Sequence, residues 1–210
     1  MKIIGIDPGL HESHAASITL APGATVYGRK ANLTGTTAGN PAALVKWAAA
    51  QRSHVVLIEV ARGAVAAKRD NDPVLHINII AGQLLGQLQA AGIPAATVAS
   101  GGNATAWNWR ATIGVKGTIG AAGKDDLIHQ IVRQRLTNPD AVPAGPKGGH
   151  LTHYWDALGV ALAGLDRALS LPNMAPLAAM QHTTTLEAHA LTARRTRKQA
   201  CKQARTARNA

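Results

Sequence analysis

Phenylalanine is missing from this chain, and cysteine occurs once, at Cys201. A single thiol excludes an intramolecular disulfide framework and a thiolate zinc cluster. Acidic residues are scarce, 11 against 22 Lys and Arg. No run approaches the ~18 uninterrupted apolar residues of a membrane helix. The opening MKIIGIDPGL puts Asp7 and a turn where a signal peptide would continue its apolar stretch, so a cytoplasmic protein is expected. What is present suits a folded core: 46% of residues are apolar and 16% charged. A length of 210 residues fits one domain with a tail.

The net charge of +11 is unevenly placed. No acid follows Glu187, while Arg194, Arg195, Arg197, Lys198, Lys202, Arg205 and Arg208 do. Taking these seven from +11 leaves +4 on the first 187 residues. A mildly basic body with a very basic end points to a polyanion partner, most simply nucleic acid. The plainer alternative is a solvated tail. Ala200, Cys201 and Ala204 make no bulky apolar face, so no membrane contact is expected.

Lys2–Asp7 has the β-branched, apolar character of a buried strand, and Pro8-Gly9 stops it. Residues 15–20 and 24–30 read as second and third strands, with Pro22-Gly23 turning the chain between them. Such short links predict an antiparallel meander. Pro41–Gln51 suits a helix with Asn40 as N-cap. Residues 54–59 (HVVLIE) read as a fourth strand. A longer helix runs from Asp72-Pro73 to about Ala91, with Leu75, Ile79, Leu84, Leu85 and Leu88 apolar. Ala95–Ala99 is a short fifth strand. Residues 100–123 read as a loop with six glycines and two tryptophans. Helices follow over residues 124–136 and 152–171. Pro172 and Pro176 close the domain. The expected division is therefore residues 1–171 as the domain and 172–210 as linker and basic tail. The element order predicts an α/β fold, a five-stranded mixed sheet with helices on its faces.

Two acids end strands in this reading, Asp7 the first and Glu59 the fourth. If the crossover helix brings these strands side by side and parallel, the carboxylates lie ~5 Å apart at the carboxyl edge of the sheet. They would repel each other there, and a divalent cation is a natural neutraliser. The alternative is that each caps a helix or pairs with a base. His153 and Asp156, three apart, share one face near the start of the last helix. Asp156 could equally be there for the helix dipole.

GIDPGL at positions 5–10, LIE at 57–59, GKDDLIHQIV at 123–132 and HYWDALGVALA at 153–163 together resemble the four motif regions of RuvC-type Holliday junction resolvases, of the ribonuclease H-like superfamily. The resemblance spans about residues 1–169. It implies that Asp7, Glu59 and Asp156 are metal-binding acids, with His153 where the family has aspartate or histidine. It implies that Lys124 supports catalysis near the scissile phosphate. It further implies two-metal phosphodiester hydrolysis leaving 5′-phosphate and 3′-hydroxyl, on four-way DNA junctions, by a homodimer. Oxygen ligands suit Mg²⁺, and imidazole at His153 suits Mn²⁺ at least as well.

Two departures accompany the resemblance. Resolvases of this type commonly carry an aromatic a few residues after the glutamate, where this chain has Val60-Ala61-Arg62-Gly63. Arg62 could stack on a base, bind phosphate or face solvent. The basic tail is the second departure. Both would suit a phage-encoded relative, beside a bacterial one, that cuts several kinds of branched DNA. Lys68 and Arg69 fall in a stretch that in the family lies near DNA and the dimer interface. Trp109, Arg110 and Lys116, among glycines, suit a DNA-tracking loop; alternatively the tryptophans plug the core. His11, His14, His76 and His129 are expected at surface or satisfied positions. Alternatives to a junction nuclease are a fork and flap debranching nuclease, a ribonuclease on the same fold, and a noncatalytic junction-binding protein.

Overall fold

The structure is a computed structural model that describes residues 1–21, 30–61, 73–100, 108–115, 121–145 and 152–170. The elements are β1 (Lys2–Asp7), β2 (Ser13–Leu20), β3 (Ala31–Gly39), α1 (Pro41–Gln51), β4 (Val55–Val60), α2 (Pro73–Ala90), β5 (Ala95–Ala99), α3 (Trp109–Thr112), α4 (Ala121–Arg135) and α5 (His153–Ser170). The five strands form one mixed sheet in the order β3-β2-β1-β4-β5. The first three make the antiparallel meander, and β1, β4 and β5 run parallel. The α/β architecture therefore agrees with the sequence reading.

The centre of the sheet is apolar on both faces because helices cover both. One face carries Ile4, Ile6, Val56 and Ile58 against Leu44 and Ala48 of α1 and Leu84 and Leu88 of α2. The other carries Ile3, Ala16, Ile18 and Leu57 against α4 and α5, through Ile128, Val132, Leu158 and Leu162. Asn40 caps α1 as expected, its Oδ1 accepting from Ala43 N–H at 3.0 Å. Arg135 holds α4 to α5 by a two-pronged pair with Asp166, at 2.6 and 2.7 Å.

Helix α5 approaches β1 very closely. A Cβ on Gly5 would stand 2.0 Å from the Ala157 carbonyl oxygen and 2.7 Å from Ala161 N. Only glycine lets the helix backbone reach the strand backbone there. Ala157 and Ala161 supply the matching small side chains, and both are fully buried.

Three expectations are corrected. The third strand is Ala31–Gly39 rather than residues 24–30, of which only Lys30 is among the described residues. ANLTGTTAG is poor in large apolar groups because the strand forms the sheet edge; among the described residues β2 is its one strand neighbour, and Ala31 adds an isolated bridge to Leu136. The stretch 100–123 is not a loop throughout: it holds α3 and the start of α4. In α2, Leu75 and Ile79 do not join the core and are 38% and 48% exposed. The buried positions of this helix are Ala81, Leu84 and Leu88.

Candidate active site

The carboxyl edge of the sheet gathers acids from three elements. Asp7 is the last residue of β1 and Glu59 the fifth of β4. Ile6 and Ile58 are parallel partners, so the two acids follow at the same level. The approach permitted by Gly5 brings the first turn of α5 over this edge, with His153 and Asp156. Thr152 starts that helix, its hydroxyl accepting from Tyr154 N–H at 3.0 Å. His153 Nδ1 lies 2.8 Å from Asp7 Oδ2. Asp7, His153 and Asp156 each offer one ligand atom, all within 4.8 Å of one another.

The environment disfavours charge on the two deepest carboxyls. Burial, then the Asp7 charge, pushes Asp156 up to about 7, against a pull from Arg110. Glu59 is buried at 8% exposure, and that burial, with Asp7 beside it, raises its pKa to about 8. The hydrogen bond to Asp7 raises the His153 pKa. Glu59 Oε2 and Asp156 Oδ1 are buried oxygens without a hydrogen-bond partner. Asp156, with a buried unpaired oxygen beside the Asp7 carboxylate and the His153 imidazole, fits a divalent cation, while Glu59 lies outside that 4.8 Å group. The donor set is mostly hard oxygen with one imidazole nitrogen, compatible with Mg²⁺ or Mn²⁺.

Arg110 enters the site from α3. Asn108 caps this single turn through Oδ1, which accepts from Arg110 N–H at 3.0 Å. The Arg110 Nη2 stands 3.6 Å from Glu59 Oε1 and 3.7 Å from Asp156 Oδ1. Of the two readings of Trp109, a DNA-tracking loop or the core, the structure gives the second: it is fully buried. Its ring fills the space over Gly159, where a Cβ would lie 2.3 Å from the indole. It is therefore a core residue that anchors α3.

Sequence reasoning missed two neighbours of the site. His14 is the cross-strand partner of Asp7. Its ring stacks on His153 with centroids 5.2 Å apart and meets the Tyr154 ring edge-on at 4.8 Å. Burial lowers the pKa of His14, with His153 adding to the effect. Starting the second strand at Ser13 rather than 15 would have put His14 opposite Asp7. Asp125 of α4 lines a cleft of about 150 Å³ with Ile128, Thr152, His153, Trp155 and Asp156. It follows Lys124, which falls within the first turns of α4. Arg62, Lys68, Arg69 and Lys116 lie outside the described residues.

No family model matches the chain, and no curated protein matches its sequence. Among solved structures it is similar to Thermus thermophilus RuvC, with a TM-score of 0.56 and 18% identity, over 81% of this chain and 96% of that one. It is similar to T. thermophilus RuvC in complex with Holliday junction substrate, at a TM-score of 0.55 and 17% identity, over 81% and 97%. The chain thus has the RuvC fold, the ribonuclease H-like architecture that its four motifs implied.

Proposed function

We propose that this chain is a metal-dependent, structure-selective endonuclease that resolves four-way DNA junctions. The observation that carries this reading is the convergence of Asp7, His153 and Asp156 from β1 and α5, their ligand atoms within 4.8 Å, with buried Glu59 alongside. Such a carboxylate-rich site at the end of a parallel strand pair suits phosphodiester hydrolysis. One solved neighbour of the same fold is described as bound to a Holliday junction substrate.

Asp7 and Asp156 would hold the divalent cations, with Glu59 and His153 completing the set. Bound there, Mg²⁺ or Mn²⁺ supplies Lewis acidity toward a phosphoryl oxygen and an attacking water. Asp7 orients His153 through the 2.8 Å hydrogen bond and fixes which imidazole nitrogen faces outward. Trp109 fixes the helix from which Arg110 reaches the acids. The arginine is placed to meet a phosphate at the site mouth. Lys124, on α4 beside Asp125 of the cleft, is assigned to the scissile phosphate. Water adds to phosphorus, the P–O3′ bond breaks, and the 3′ oxygen leaves with a proton. The products are a 5′-phosphate and a 3′-hydroxyl.

A homodimer would carry two such sites and cut symmetric strands of a junction in a pair. Arg62, Lys68, Arg69 and Lys116 are assigned to DNA contacts on the strength of their sequence positions, and residues 172–210 to a nonspecific DNA-binding tail.

The test compares labelled immobile four-way junctions with matched linear duplex, fork, flap and RNA–DNA hybrid, in Mg²⁺ and Mn²⁺ separately. Paired symmetric nicks in the junction, lost in Asp7→Asn, are the expected result. Equal cutting of forks and flaps would favour a general debranching nuclease. Cleavage of the hybrid alone would overturn the junction reading in favour of a ribonuclease. Binding without cleavage would make the protein a noncatalytic junction binder.

A further inference from the structure

Each acid of the site already has a cationic or ionisable partner. Asp7 has His153, at 2.8 Å. Glu59 and Asp156 share one guanidinium, that of Arg110, at 3.6 and 3.7 Å. These separations are those of ion pairs without hydrogen bonds. Asp156 Oδ1 and the Arg110 Nε are both buried without a hydrogen-bond partner. The guanidinium therefore lies against both carboxyls without satisfying their free lone pairs or its own Nε donor.

The arginine is delivered there by construction. Trp109 is locked in the core over Gly159. The Arg110 guanidinium carbon lies 5.0 Å from the Trp109 ring centre, within cation–π range. Asn108 holds the turn that presents it. The Arg110 side chain is 30% exposed, so it is not sealed into the protein. A short swing outward would leave the acids and keep the charge at the rim.

We propose that Arg110 is the resident counter-cation of Glu59 and Asp156, that a divalent cation entering the site displaces its guanidinium, and that the freed group then takes a nucleic-acid phosphate. This rests on reading Asp7, His153 and Asp156 as the ligand set. Two cations compete for the same oxygens, because like charges a few ångströms apart in a poorly solvated site repel strongly. Arg110 thereby keeps the metal-free protein folded around three acids, at the cost of weaker metal binding. It also couples metal entry to phosphate binding, since one event releases the group that serves the other.

The test is Ca²⁺ binding by calorimetry on the full chain without DNA, which needs no catalysis. The wild type is compared with Arg110→Gln, Arg110→Lys and Asp156→Asn. Arg110→Gln is expected to bind Ca²⁺ about tenfold more tightly and to unfold at lower temperature in chelator. Arg110→Lys keeps the charge and is expected to stay within about twofold of wild type. Unchanged or weaker binding by Arg110→Gln would overturn the proposal. Wild-type binding unaffected by Asp156→Asn would show instead that the ligand set is wrong, and the proposal would fall with it. Should Arg110→Gln fail to fold, the Arg110 Nε–H resonance of the wild type decides. It moves on Ca²⁺ addition if the guanidinium is displaced and stays if it is not.

Discussion

His153 Nδ1 and Asp7 Oδ2 meet at 2.8 Å although 146 residues separate them in the chain. The contact joins the end of the first strand to the start of the last helix, so it closes the site across the whole fold. It also leaves the second imidazole nitrogen of His153 as the atom available for a ligand. The His14 ring stacked on His153 limits how the imidazole can turn.

That geometry predicts a change of metal preference. Imidazole is a better ligand for Mn²⁺ than for Mg²⁺, whereas carboxylate suits both. His153→Asp should therefore lower the ratio of Mn²⁺-supported to Mg²⁺-supported junction cleavage, by about tenfold given typical losses on altering a ligand's surroundings. His153→Ala should weaken cleavage with either metal. Parallel rate measurements in the two metals check this, and an unchanged ratio in His153→Asp would remove His153 from the ligand set.

The close approach at Gly5 predicts a steep penalty for the smallest possible addition. A methyl group would stand 2.0 Å from the Ala157 carbonyl oxygen, and neither backbone has a flexible end to move aside. Gly5→Ala should cost about 3 kcal/mol, and α5 must shift away from β1 for the variant to fold at all. The shift would pull Asp156 from Asp7, so cleavage should fall more than the loss of folded protein explains. Denaturant unfolding and activity per folded molecule separate the two effects. A variant of wild-type stability would contradict this packing.

Breaking the Arg135–Asp166 pair should test how firmly α4 is held. Both side chains are about one-fifth exposed and meet at 2.6 and 2.7 Å. Asp166→Asn leaves the guanidinium short of its charge partner and should cost about 1–2 kcal/mol by chemical denaturation. Asp156 is far along the same helix, so metal binding should change little.

The acids of this site were legible because strand ends and helix starts are. Asp7 and Glu59 each follow a run of β-branched residues, and a crossover helix between such runs places them side by side. His153 and Asp156 open a helix with a strong apolar face. Arg110 was not legible in the same way. A single turn has no period, and nothing in WNWRAT tells that Trp109 turns into the core while Arg110 turns to the acids. β3 was missed for a related reason. Its pairing with β2, from Ser13↔Gly39 to Leu20↔Ala31, comes from the ladder rather than from apolar alternation. His14 depends on register: it faces Asp7 only because β2 starts two residues before the apolar signal does.

The raised carboxyl pKa values predict an unusual pH dependence for the metal-free protein. A carboxyl whose folded-state pKa lies above its unfolded value holds a proton that the unfolded chain has released. Folding is then penalised as pH rises above the unfolded value, and the penalty is complete above the folded value. Asp156 passes from an ordinary 3.8 to about 7, and Glu59 from 4.5 to about 8. His153 acts in the same direction: raised by its bond to Asp7, its contribution is full below 6.5 and is lost as pH rises through the folded value. His14, lowered by burial, opposes this only on the acid side of 6.5. In chelator the melting temperature should therefore fall between about pH 5 and pH 8, by roughly 5 °C or more. Asp156→Asn should flatten the slope, because one of the titrating groups is gone. Saturating Mg²⁺ or Mn²⁺ should reverse it, because the metal binds the deprotonated carboxylates of the folded state and binds better as they ionise. Thermal melts at several pH values, with chelator and with metal, provide the check. A melting temperature that rises with pH in chelator would mean that these carboxyls are already charged in the folded protein, neutralised well enough by Arg110 and His153 to need no proton.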